Sequence, residues 1–181
     1  PPRSTLFPYT TLFRSETASE SPAPGGGSIS AYVGALGAAL AAMVANLSSH
    51  KAGWDDRWEE FSDWAVKGQN LKKELLFLVD EDTRAFNRIM DAFGLPKGSE
   101  EEKTTRKNAI QDATRYATET PFRTMEKALE SFEVIKAMAE YGNPNSVTDA
   151  GVGALCARTA VMGARSEEHT SELQSRQATS Y

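Results

Sequence analysis

From Pro22 to Ser49 the chain carries no charged side chain. The stretch reads PAPGGGSISAYVGALGAALAAMVANLSS, and its length alone admits a membrane span. Its chemistry points elsewhere, because Ala and Gly dominate, Leu is sparse, and Ser28, Ser30, Asn46 and Ser48 interrupt it. Small residues at Ala31, Gly34, Ala35, Ala38, Ala41 and Ala42 recur at helical spacing, so neighbouring backbones can approach closely. This predicts a helix from a Ser28 cap to about Ser48, at the centre of a helical bundle or at a subunit contact. The glycines before it form either a tight turn or a row of amides kept bare for a ligand.

Both ends of the chain read as foreign. Leu6–Ser15 and Arg165–Ser175 match in-frame translations of the standard adapters ligated to DNA fragments for short-read sequencing, one at each end. Segments of that origin are set aside before reading a fold. The natural domain is then expected over 16–164, with 1–15 and 165–181 as adapter-derived tails that do not pack; Leu6, Phe7 and Phe13 should stay out of the core. Fragmentation of this kind predicts a domain incomplete at both ends.

A domain of this size can bury a real core. The whole chain has a formal net charge of −5; without the four Arg and three Glu of the tails it is −6. An acidic domain without a basic stripe argues against a nucleic-acid partner. Cys156 is the single cysteine, which excludes an internal disulfide and fits a reducing, cytoplasmic setting. His50 is the one histidine outside the tails, so no zinc site of His/Cys type is expected.

Helix signals cover the remainder. A linker over 50–58 leads to a second helix that reaches Phe93, weakened in its middle by Gly68. Leu71, Leu75, Leu78, Phe86, Ile89 and Phe93 form its apolar stripe. Gly94 and Pro96 stop it, and Ser99 with Glu102 opens a third helix as a capping box. Pro121 marks a kink or a boundary there. Phe122, Met125, Leu129, Phe132, Ile135 and Met138 then predict an apolar face. A turn over 141–151, with Gly142 as a helix C-cap, precedes a last helix over 148–164. No segment alternates as a half-buried strand does, so the class is all-α, a helical bundle.

Asp82 breaks the pattern of its own helix, being the one charged position on the stripe at 71, 75, 78, 82, 86, 89 and 93. A carboxylate there costs roughly several kcal/mol unless paired or hydrogen-bonded. It is either an ion-pair partner at the rim or a site carboxylate that exchanges a proton. Asp80 points elsewhere and is expected to be solvated. Asn145, Ser146 and Asp149 have the same double reading: Ser146 and Asp149 match a capping box, and the three also gather polar groups at a helix start. Gly25, Gly26, Gly27 and Ser28 lack the Lys of a P-loop and the strand of a Rossmann turn, leaving free amides suited to a carboxylate or phosphate. Lys97 adds a cation, although a lone loop lysine is ordinarily just solvated.

Three stretches carry a resemblance. SPAPGGGSISAYVGALGAALAAMVANL, LVDEDTRAFNRIMDAFGLPKGSEEEKTTRKNAIQDA and GNPNSVTDAGVGALCARTAVMGA together resemble the cyclodeaminase/cyclohydrolase family. That family is an all-helical domain found alone or as the C-terminal half of bifunctional formimidoyltransferase-cyclodeaminases. Ser21–Ser28 is similar to its Pro-Gly-Gly-Gly-Ser loop, and Asp80 with Asp82 to its Asp-x-Asp before Ala-Phe. Leu95-Pro96-Lys97 and Asn145–Asp149 are similar to its other two signatures. The resemblance implies that most of a leading helix, and an Asn-containing segment and final helix after Ala164, are missing here.

The resemblance implies a folate enzyme, with tetrahydrofolate as the carrier of the reacting group and no metal. It implies conversion of 5-formimidoyltetrahydrofolate to 5,10-methenyltetrahydrofolate and ammonia. Asp82 and Asp149 would be its acid and base in interchangeable roles, while Gly25–Ser28, Lys97, Asn145 and Ser146 would bind substrate, polyglutamylated or not. It also implies a homodimer and a fused or associated formimidoyltransferase domain. No membrane or nucleic-acid partner is expected. The rival readings are hydrolysis of 5,10-methenyltetrahydrofolate on the same fold, and a helical assembly module without chemistry.

Overall fold

The computed structural model describes the backbone of residues 7–178 and the side chains of 11–167. Five α-helices account for it: α1 (Phe7–Thr17), α2 (Gly26–Ser49), α3 (Trp58–Gly94), α4 (Glu100–Tyr141) and α5 (Val147–Ala178). Short 3-10 turns at Asp55–Arg57 and Pro144–Ser146 lead into α3 and α5. No strand occurs among the described residues.

The uncharged helix α2 is the centre of the bundle, packed by α3, α4 and α5. It is long and apolar enough to cross a membrane, with a mean hydropathy of 1.7 over its most apolar window. Here, however, the run of Ala31, Ala35, Ala38, Ala41, Ala42 and Ala45 is buried against protein. Gly37 admits α5: a Cβ there would meet the Gly153 carbonyl at 2.8 Å and the Ala157 amide at 3.1 Å. Gly68 admits α2 to α3 in the same way, since its Cβ would meet that of Ala42 at 2.9 Å. The residue that lowers helix propensity at position 68 is thus the one that allows the close crossing.

Large side chains on α3 and α4 fill the space around these small ones. Phe61, Leu71, Leu75 and Leu78 from α3 and Val134, Ile135 and Met138 from α4 join the alanines in one core. The α3 stripe is buried only while α2 lies opposite. Past Asp82 it faces a two-helix arm with α4, so Phe86 and Ile89 are half-buried and Phe93 is exposed.

The predicted face of α4 needs correcting. Phe122 and Leu129 are exposed, and the inward face consists of Thr120, Pro121, Thr124, Ala128, Ser131, Val134, Ile135 and Met138. Small residues win because α4 also packs against α2 and α5. Their hydroxyls are satisfied within the helix: Thr124 donates to the Thr120 carbonyl at 3.2 Å and Ser131 to that of Ala128 at 2.6 Å. The helix runs through Pro121 without a boundary. Its start at Ser99 is the expected capping box.

Phe13 is half-buried, its ring tilted against Tyr32 at 5.3 Å, and it is no part of the core. Leu6 and the side chain of Phe7 lie outside the described residues. α5 continues as one helix past Ala164 to Ala178, longer than the segment expected from the sequence.

Candidate functional site

The first turn of α2 differs from the sequence reading. Gly25 occupies the N-cap with no side-chain cap, and Ser28 lies inside the helix, fully buried. Instead of capping its own helix, Ser28 Oγ donates to Asp82 Oδ2 of α3 at 2.7 Å. The first amides of α2 have no intrahelical acceptor, and their partial positive charge favours an anion nearby. Asp82 supplies it from across the bundle.

The glycines make that approach possible. A Cβ on Gly27 would lie 2.7 Å from the Asp82 carboxyl carbon, and one on Gly26 would lie 3.0 Å from that of Glu167. A side chain at either position would displace a carboxylate. Asp82 itself continues the inward face of α3 one turn beyond Leu78, level with the first turn of α2. It is half-buried, and Asp80 is exposed as expected. Gly27→Ala should therefore push Asp82 off Ser28. A displacement near 1 Å at an acting group lowers turnover roughly 100-fold. A crystal structure of that variant with the 2.7 Å bond intact would refute this account.

Glu167 is the second carboxylate of the cluster. Burial first, and the charge of Asp82 second, push its carboxyl above the usual range. The α5 register delivers it: Gly153, Cys156, Ala160 and Gly163 follow the flank turned to α2, and 167 is the next step. Sequence reasoning placed this residue in the adapter-derived tail and gave it no role.

A third carboxylate, Glu81, was missed as well. It is only 7% exposed, lying on the flank of α3 that meets α4. The Tyr116 hydroxyl and the Arg84 guanidinium both donate to it, and Arg88 lies 4.0 Å over the Tyr116 ring. The Tyr116 hydrogen bond, then that of Arg84, holds its carboxyl below the usual range against the opposing effect of burial. The spacing 78, 81, 85 was the available signal, for it marks the α4-facing flank beside the stripe. Glu81 is a structural clamp between the helices.

The sign of its pH effect follows from the lowered value. Its contribution is complete above the ordinary carboxylate range and is lost as pH falls through the folded value. Tyr116→Phe removes the principal donor and should cost about 1 kcal/mol at neutral pH. It should also reduce the stability lost on acidification. Urea midpoints of both proteins at pH 7 and pH 3 test this; an equal acid loss in the two would refute it.

The other expected site residues are not at this end. Ser48 Oγ accepts from the Asn143 amide at 2.8 Å, which ties the start of α5 to the end of α2. Asp149, half-buried in the first turn of α5, therefore lies a full length of α2 from Asp82. At 24 residues, that helix spans about 36 Å. The expected Ser146–Asp149 capping box is not formed among the described residues. Asn143 Oδ1 accepts from the Asn145 amide at 3.2 Å instead, while Ser146 is buried and Asn145 exposed. Gly142 does cap α4, in an extended conformation, where a Cβ would press on Val44 at 3.1 Å. Lys97 is exposed in the connection after α3, twelve or more helical residues past Asp82, or about 18 Å. One chain thus gathers Gly25, Gly26, Gly27, Ser28 and Asp82, and leaves Lys97, Asn145, Ser146 and Asp149 apart. No group of three or more His, Cys, Asp or Glu suited to a metal ion occurs among the described residues.

A family model described as formiminotransferase-cyclodeaminase matches residues 10–167. The chain belongs to that family. It is 38% identical over 140 residues to a methenyltetrahydrofolate cyclohydrolase of Methylorubrum extorquens, covering 77% of this chain and 67% of that protein. It is 34% identical over 164 residues to the formimidoyltransferase-cyclodeaminase of Rattus norvegicus, covering 91% of this chain and 30% of that one. The chain thus spans about two thirds of the first relative and under a third of the second. Its fold matches the crystal structure of a formiminotetrahydrofolate cyclodeaminase from Thermotoga maritima at a TM-score of 0.78 and 26% identity, over 91% of this chain and 78% of that one. The family is one of folate one-carbon enzymes, and both the membership and the all-α bundle agree with the sequence reading.

Proposed function

We propose that this chain is the catalytic domain of a formimidoyltetrahydrofolate cyclodeaminase. The observation that carries the reading is the half-buried Ser28–Asp82 hydrogen bond at the glycine-lined start of α2. In this reaction N10 attacks the formimidoyl carbon, loses its proton, and ammonia departs with a proton gained. Asp82, positioned by Ser28, is the base that takes the N10 proton. The protonated formimidoyl group is an amidinium cation, so a carboxylate facing it also supplies its counter-charge. Tetrahydrofolate is the carrier of the reacting group and no metal takes part.

The cyclohydrolase reading is favoured by the identity to the Methylorubrum extorquens enzyme. Its substrate, 5,10-methenyltetrahydrofolate, is likewise an amidinium cation, and the same carboxylate suits it. Two assays on one preparation separate the two. Ammonia released from 5-formimidoyltetrahydrofolate supports deamination; loss of methenyl absorbance without any ammonia activity would replace it by hydrolysis.

A homodimer follows from the same reading. Ile29, Val33, Leu36, Leu40, Met43 and Leu47 form an uncharged stripe on the outer side of α2, and Leu36, Met43 and Leu47 are exposed. A two-fold axis across that stripe packs the helix antiparallel to its copy and brings one chain's Asp149 end to the other's Asp82 end. Asp149 would then act as the acid in a site made by two chains. Met43→Glu places two like charges in such a contact and should yield monomers of lower turnover. Sedimentation showing an unchanged oligomer for that variant would exclude this surface. A fused or associated formimidoyltransferase domain, the other activity in the name of the Rattus norvegicus relative, and a cytoplasmic location complete the proposal.

A further inference from the structure

Glu167 is the one feature of this end that the reaction does not use. It is carried on the part of α5 beyond Ala164, in the segment read above as adapter-encoded, at the last residue of the stretch that the family model matches. Yet its side chain fills the space over Gly26, half-buried, beside the Asp82 carboxylate. Two carboxylates at one helix start, neither of them in an ion pair among the described residues, is an arrangement that packing imposes and electrostatics opposes. Ser28 already satisfies one Asp82 oxygen, so the ground between Asp82 and Gly26 is where a ligand of Asp82 has to enter.

We propose that Glu167 is an internal plug, occupying the mouth of the Asp82 site and competing with the ligand that the site binds. The inference rests on the folate reading only for the identity of that ligand; the occlusion stands on geometry alone. It makes a prediction opposite in sign to the alternative, in which Glu167 is a second binding carboxylate whose loss weakens the ligand. A chain whose competent form is populated at 10–30% shows an apparent affinity weakened roughly three- to tenfold.

The test uses the full chain, Glu167→Ala and Glu167→Gln, with circular dichroism to verify equal helicity. Amide hydrogen exchange at Gly26, Gly27 and Ser28 reports the plug without any ligand. Titration calorimetry with 5-formyltetrahydrofolate reports the site. Glu167→Ala should speed exchange at those three amides and tighten folate binding about three- to tenfold. Glu167→Gln, which keeps the bulk, should stay close to the parent chain in exchange. Unchanged exchange in Glu167→Ala, or weaker folate binding, overturns the plug. Faster exchange with no folate binding by any of the three upholds the plug and overturns the folate reading instead.

Discussion

Asp82→Asn should lower the turnover of the folded enzyme by roughly 10²–10⁴-fold while leaving folate affinity nearly unchanged. The substitution keeps the shape of the side chain and an oxygen that accepts from Ser28 Oγ, so the 2.7 Å contact survives. What it removes is a group that takes a proton. Asp80→Asn is the control, two residues away on the exposed side of the same helix, and should leave turnover intact. If Asp82 is only a partner for the start of α2, the variant instead melts earlier and works normally once folded. Turnover per folded molecule decides between the two. A fully active, folded Asp82→Asn enzyme would falsify the catalytic assignment.

Leu75→Ala should be the most damaging of the simple truncations. Leu75 is fully buried, its methyl groups pressed on Gly34 at 3.3 and 3.5 Å from where a Cβ would stand. Because α2 offers only alanines and glycines at this level, no neighbour can swing into the space left behind. Truncations at such rigid sites cost about 2–5 kcal/mol. That is a large fraction of the stability of a domain, and lowers Tm by roughly 5–15 °C in a chain of this length. Leu76→Ala, at an adjacent position that is 41% exposed, should stay within about 0.5 kcal/mol. Equal losses at the two positions, measured by urea unfolding, would contradict the packing described for α2 and α3.

Glu81 and Asp82 illustrate how far a hydrophobic pattern reaches. Helical spacing identified Asp82 correctly as a charged step on an apolar stripe, because that stripe is set by α3 alone. Whether the position is sealed or open depends on where α2 begins, and its N-cap is Gly25, three residues before Ser28, the cap expected from its side chain. The same boundary turned Ser28 from a cap into the donor that positions Asp82. Glu81 escaped notice because its flank is defined by α4, whose inward face is itself built of Thr, Ser and Ala that no hydrophobic count selects.

The sequence by itself determined the helical class, the break between Gly94 and the Ser99 capping box, a turn beginning near Gly142, the close-packed character of the uncharged helix, and the family. Each of these depends on neighbours within a few turns: small-residue periodicity, capping chemistry and the glycine row are local properties of one segment. Only the tertiary structure decided which polar groups share a site. It set Asp82 beside Ser28 and Glu167, and put Asp149 and Lys97 elsewhere. Those pairings follow from helix lengths and register, since an antiparallel crossing fixes which turn of one helix meets which turn of the next. The glycines link the two levels: their order is written in the sequence, but what fills the space they leave, the Asp82 carboxylate of α3 over Gly27, is set by the packing.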